Sequence, residues 1–139
     1  MGCQLSSRVG PGQDEIDFEI LGNNRSALQT NYYVNGVGGN EELTPLNFDC
    51  ASGFHNFAVE YNPYNIIWWV DNKAVRVVLN TTATTGKPYP SQTMSAYASV
   101  WDASSVCDGC WTGRRDPSTL VGNWSTIAYF QNIRVLGPI

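Results

Sequence analysis

At 139 residues the chain is long enough for one domain but not for two, because halves of that size would each bury too little apolar surface to be stable. With 42% hydrophobic and 14% charged residues, 13 glycines and 7 prolines, it reads as a folded, turn-rich chain, which excludes a disordered one. A net charge of -4 and a single basic pair, Arg114-Arg115, leave no electrostatic footprint for nucleic acid, and the apolar run 66–70 falls far below the roughly 20 residues of a membrane span.

From the N-terminus, Met1-Gly2-Cys3-Gln4-Leu5-Ser6 matches a lipidation pattern, while residues 1–13 lack the apolar core of a signal peptide. Short segments rich in β-branched and aromatic residues then recur between turn signals, predicting strands at 13–21, 27–34, 54–61, 65–71, 74–79, 93–101 and 126–136. Asn35-Gly36 with Gly38-Gly39, Asn62-Pro63 and Asp71-Asn72 punctuate these runs, and 81–85 reads as a small threonine loop. No long window carries a helical stripe, so the expected class is all-β. Such meander strands pack as two antiparallel sheets, the longer and more curved one free to hold an extended ligand on its open face.

The four cysteines, Cys3, Cys50, Cys107 and Cys110, form an even set that suits two disulfides in a secreted protein. Their pairing is not legible. Cys107-Asp108-Gly109-Cys110 reads first as a local disulfide; a redox motif or half a zinc site is the alternative, but no second such spacing exists and His55 is the only histidine. No metal or cofactor is expected. Asn24, Asn80 and Asn123 begin glycosylation sequons, which favour an extracellular destination.

The strongest chemical signal lies in Asp14-Glu15-Ile16-Asp17-Phe18-Glu19-Ile20. Strand periodicity sends Glu15, Asp17 and Glu19 to one face and Ile16, Phe18 and Ile20 to the other. Three like charges in a row repel, so the pattern costs stability unless one carboxyl keeps its proton or a substrate engages it. A proton-retaining carboxyl beside an ionised one is what acid-catalysed glycoside cleavage needs. The bland alternative is an edge strand charged for solubility. Trp68, Trp69 and Trp101 are aromatic candidates for stacking under a sugar; neighbours on a strand must split between faces, which leaves Trp101 as the better sugar contact and Trp68 or Trp69 for the core.

The acidic strand, with Leu21-Gly22-Asn23 after it, closely resembles the active-site strand of plant xyloglucan endotransglucosylase/hydrolases, in glycoside hydrolase family 16. Leu28-Gln29-Thr30-Asn31-Tyr32-Tyr33, Asn35-Gly36-Val37-Gly38-Gly39, Phe54-His55-Asn56-Phe57, Ile66-Ile67-Trp68-Trp69-Val70-Asp71 and Ser99-Val100-Trp101-Asp102-Ala103 extend the resemblance in the same order over nearly the whole chain. The resemblance implies a concanavalin-like β-jelly roll, with Glu15 as nucleophile, Asp17 as helper and Glu19 as acid/base in a double displacement. Gln29, Asn31, Trp101 and Asp102 are then the implied substrate contacts. The implied partners are a xyloglucan-like polysaccharide donor and an oligosaccharide acceptor, in the cell wall, with no nucleic acid and no membrane. Within enzymes the rivals are another β-glucan endoglucanase or a chitin–glucan transglycosylase; outside them, a non-catalytic carbohydrate-binding sandwich.

Three departures from the family pattern stand out. Gln13 replaces a histidine common before the acidic motif, so a neighbour of the carboxylates differs. Val106-Cys107-Asp108-Gly109-Cys110-Trp111 replaces the segment that follows the Trp101 motif, near the acceptor side. Gln4-Leu5-Ser6-Ser7 resembles the end of the strand before the catalytic one. The expectation is therefore a single domain over 1–139 that lacks the family's first strands and its C-terminal extension, with the lipidation match a coincidence.

Overall fold

The computed structural model describes residues 2–7, 10–114 and 127–137. Among these residues are eight strands: β1 Gly2–Ser6, β2 Glu15–Leu21, β3 Asn24–Tyr33, β4 Glu42–Pro45, β5 Phe57–Tyr61, β6 Asn65–Val70, β7 Lys73–Leu79 and β8 Ser95–Ser99. One sheet has the order β4-β3-β2-β1-β8 and the other β5-β6-β7, and every pairing is antiparallel. The all-β, two-sheet expectation holds.

Alternation sets which side chains fill the space between the sheets. Ile16, Phe18 and Ile20 of β2 and Leu28 and Tyr32 of β3 meet Ile66, Trp68 and Val70 of β6 in one core, with Tyr89 joining them. Burying these apolar side chains is the main favourable term holding the sandwich together. Trp68 is fully buried and its indole N–H donates to the Asp17 carbonyl at 2.9 Å, so the core ties directly into the strand that carries the acidic motif. Trp69 takes the opposite face, as the neighbour rule requires.

Arg76 and Asp14 are among the polar side chains that tie separate segments together. Arg76 on β7 donates to the Thr30 carbonyl and hydroxyl at 3.0 and 2.8 Å and to the Asn40 carbonyl at 2.7 Å. Its guanidinium lies 4.9 Å from the Trp68 ring centre, and its Nε sits 3.1 Å from Glu42, an ion-pair contact that lacks hydrogen-bond geometry. Asp14, only 1% exposed, accepts the backbone N–H groups of Asn35, Ser91 and Gln92 at 2.8, 2.6 and 2.9 Å. Burial pushes its pKa up, but these donors outweigh burial and hold it below the usual carboxylate range.

Several boundaries differ from expectation, each for a local reason. The Asp71-Asn72 turn has φ of 47° and 63°, the doubly left-handed geometry of a tight hairpin, so β6 ends at Val70 and β7 begins at Lys73. Residues 82–85 close one helical turn, Thr82–Thr85, instead of an open loop, with Gly86 capping it in the left-handed region. The β4 strand went unpredicted because four residues ending in proline carry no alternation; Pro45 is tolerated there because β4 is an edge. The strand expected at 126–136 does not form over its described part, 127–136. A strand exists only with a ladder partner, no strand pairs with this segment among the described residues, and Ile127, Tyr129, Ile133, Val135 and Leu136 are exposed.

Candidate active site

The open face of the five-stranded sheet carries a cleft of about 510 Å³ lined by Glu15, Asp17, Glu19, Gln29, Asn31, Tyr33, Glu41, Trp101 and Trp111. Its floor follows from two adjacent strands. In the β2–β3 ladder Glu15 faces Tyr33, Asp17 faces Asn31 and Glu19 faces Gln29. Each carboxyl thus has a hydroxyl or amide bearer as its cross-strand neighbour, within roughly 4.5–5.5 Å between Cβ atoms. The apolar alternates on both strands point the other way and anchor the floor from beneath.

The flanking loops add the walls. Asn31 Nδ2 donates to Glu41 at 3.4 Å, and Asn40 Nδ2 donates to the Tyr32 carbonyl at 3.0 Å, which holds the 35–41 segment against β3. That segment lies flat on the Tyr33 ring because residue 38 is glycine, and a Cβ there would collide with the ring. At the Gln29 end of the floor Trp111 donates its indole N–H to Gln29 Oε1 at 2.7 Å and packs 5.6 Å from Trp101.

The charge pattern is uneven along the floor. Asp17 is 6% exposed, and burial, then the Glu19 charge, then the Glu15 charge push its pKa up to about 8. It therefore keeps its proton at neutral pH and shares a hydrogen bond with Glu15. Burial also raises Glu19, with the charge on Glu15 adding to the effect. The repulsion anticipated from three carboxyls in a row is relieved by a retained proton on the central one. Among the described residues no cluster of side chains is arranged to hold a metal ion.

A family comparison matches residues 3–126 to the pattern described as "Glycosyl hydrolases family 16". The chain belongs to glycosyl hydrolases family 16. It is 39% identical over 127 residues to "Putative xyloglucan endotransglucosylase/hydrolase protein 1" of Arabidopsis thaliana, covering 90% of this chain and 40% of the relative. It is 36% identical over 124 residues to a "Beta-glucanase" of Paenibacillus macerans, covering 88% of this chain and 48% of that protein. Among solved structures it resembles the Bacillus licheniformis β-glucanase, with a TM-score of 0.57 and 32% identity over 68% of this chain and 42% of that one. The chain thus spans less than half the length of these relatives.

Within this family 16 domain, Glu15, Asp17, Glu19, Gln29, Asn31 and Trp101 come together in the cleft. Asp102 is not among the lining residues; its carboxylate accepts the Ser104 N–H at 2.9 Å and shapes the turn after Trp101. His55 lies outside the cleft lining, bonded to Asp71 and stacked on Phe48. Asn24 is exposed at the start of β3, Asn80 is exposed but bonded to Pro63 and Thr82, and Asn123 lies outside the described residues. Cys107 and Cys110 form the expected local disulfide, and Cys50 is a free thiol. Sequence reasoning missed Tyr33, Glu41 and Trp111. Tyr33 follows Gln29 and Asn31 at period two and was open to discovery; Glu41 and Trp111 arrive from irregular segments, where spacing carries no directional signal.

Proposed function

We propose that this domain cleaves and religates the backbone of a neutral β-glucan with retention of configuration, xyloglucan being the favoured substrate. The observation that carries the reading is the acidic floor itself: Glu15, Asp17 and Glu19 side by side in an open groove, with the central carboxyl holding a proton. In the first step the Glu15 carboxylate attacks the anomeric carbon while Glu19, whose raised pKa suits an acid, protonates the departing glycosidic oxygen. A glycosyl ester on Glu15 results. Asp17 positions Glu15 through their hydrogen bond and limits the negative charge on the floor. In the second step Glu19 removes a proton from an incoming sugar hydroxyl or water, which attacks the ester carbon and frees Glu15.

The lining supports a neutral glucan as substrate. Four carboxyl groups and no basic side chain line the cleft, so an anionic polysaccharide would be repelled. The amides of Gln29 and Asn31 both donate and accept, which suits sugar hydroxyls, and Trp101 offers a flat apolar face. The names of the plant relatives support xyloglucan and endotransglucosylation, whereas those of the bacterial relatives support other β-glucans. The exposed sequon at Asn24 and the Cys107–Cys110 disulfide fit a secreted, cell-wall enzyme.

The test incubates the chain with xyloglucan, or with a mixed-linkage β-glucan, plus a labelled oligosaccharide acceptor. Label entering polymer, or new reducing ends whose first-formed anomer is β, is the expected result. Binding without either product would make this a non-catalytic carbohydrate-binding sandwich and overturn the reading.

A further inference from the structure

One loop reaches the cleft under a covalent restraint that the catalytic reading does not use. Between the disulfide-bonded Cys107 and Cys110 the backbone passes through three successive left-handed residues, with φ of 41° at Cys107, 54° at Asp108 and 76° at Gly109. Residues bearing a Cβ resist this conformation, so the turn needs an outside restraint. The disulfide supplies one, and an ion pair from Asp108 to Arg114 supplies another. Gly109 is required by space as well, since a Cβ there would lie 2.5 Å from the Arg114 nitrogen.

The next residue after this knuckle is Trp111. Its carbonyl accepts from Asn23 Nδ2 at 3.2 Å, on the β2–β3 hairpin, and its indole N–H donates to Gln29 Oε1 at 2.7 Å. The indole bond decides the flip of the Gln29 amide, with Oε1 turned to Trp111 and the Nε2 donor turned away from it. Gln29 stands opposite Glu19 in the ladder, so the amide is oriented beside the acid end of the floor.

We propose that the Cys107–Cys110 disulfide is a positioning element for glucan binding. It holds Trp111, and through Trp111 the Gln29 amide, in the arrangement that reads the sugar. Reduction of this one bond then weakens glucan binding and leaves the carboxylates in place. The inference rests on the reading of this cleft as a β-glucan site. Both cysteines are exposed, so a small dithiol can reach them. One of its thiolates attacks a cysteine sulfur and releases the other cysteine; its second thiolate then attacks the mixed disulfide and releases the first. The protein gains two electrons and two protons, and the dithiol leaves as its own disulfide.

The experiment compares the oxidised chain, the chain reduced with dithiothreitol and checked by thiol counting, the Cys107→Ser/Cys110→Ser variant and Trp111→Phe. Steady-state kinetics on the β-glucan and the Trp111 indole N–H resonance, assigned by its loss in Trp111→Phe, are the readouts. Reduction is expected to raise KM by about threefold to tenfold, as the loss of one hydrogen bond with its ring contact implies. The turnover number should stay within about twofold, and the indole resonance should move toward the position of a solvent-exposed tryptophan. The double-serine variant should behave as the reduced chain and ignore dithiothreitol. Trp111→Phe, which keeps the disulfide but loses the N–H donor and part of the ring, should raise KM by itself. Unchanged KM and an unmoved resonance on full reduction would overturn the proposal, and so would an unchanged KM in Trp111→Phe. Absence of turnover in the oxidised chain would instead defeat the catalytic reading, while the resonance would still report whether the disulfide positions Trp111.

Discussion

Replacing Asp17 by Asn removes one titrating group from the centre of the cleft floor at nearly constant size. In the folded chain its pKa is raised from 3.8 to about 8, first by burial and then by the charges on Glu19 and Glu15. Between those values the native state holds a proton that the unfolded chain has released, so rising pH favours unfolding. The contribution to stability is full below about pH 4, declines through the window and levels off above about pH 8. One retained proton corresponds to a slope of about 1.4 kcal/mol per pH unit, and the whole window to about 6 kcal/mol as a ceiling, comparable with the net stability of a small domain. Asp14 and Asp71 have lowered pKa values and are ionised in both states above about pH 5, so they add no slope there. Urea unfolding of both proteins, followed by tryptophan emission at several pH values from about 5 to about 8, measures the difference. Wild type should lose about 1 kcal/mol per unit relative to Asp17→Asn up to about pH 7, and less per unit as the pH reaches about 8. A gap between the two that does not change with pH would mean that Asp17 is already ionised, and the burial argument would fail.

Three other perturbations probe the same structure. Glu15→Ala should leave a folded chain with no turnover, and Glu19→Gln should slow formation of the glycosyl ester about 10²- to 10⁴-fold on natural glycosidic bonds while sparing that first step on aryl glycosides that leave without protonation, read as a burst of released aryl alcohol. Equal losses on both substrate types would contradict the acid role of Glu19. Asp14→Asn sets an amide N–H₂ against backbone donors and should cost about 1–3 kcal/mol near neutral pH, with the gap to wild type closing as pH falls through the lowered pKa of Asp14. Arg76→Ala removes three hydrogen bonds and the guanidinium over the Trp68 ring, for an expected loss of about 2–4 kcal/mol in denaturant unfolding; a loss under about 0.5 kcal/mol would rule out its role as a tie between the sheets.

Much of this molecule was legible in one dimension because strand alternation is a local rule. The period of two placed Glu15, Asp17 and Glu19 on one face and Ile16, Phe18 and Ile20 on the other, and the sheet keeps that division. It also separated Trp68 from Trp69, whereas Gln29 and Asn31 came from the family resemblance and line the cleft in the structure. Asp102 came with the Trp101 motif of the family resemblance, yet its side chain accepts from Ser104, because a residue after a strand end no longer obeys the alternation.

The chain's own order of residues therefore determined the class, the acidic ladder and the apolar face of β2 beneath it. Only the tertiary structure decided which carboxyl keeps the proton, since the pKa of Asp17 depends on burial and on charges supplied across a packed sheet. Only it brought Glu41 and Trp111 to the cleft, the latter 82 residues from the Gln29 amide it holds. Long-range contacts of that kind are set by how sheets and loops pack in space, and no local periodicity encodes them.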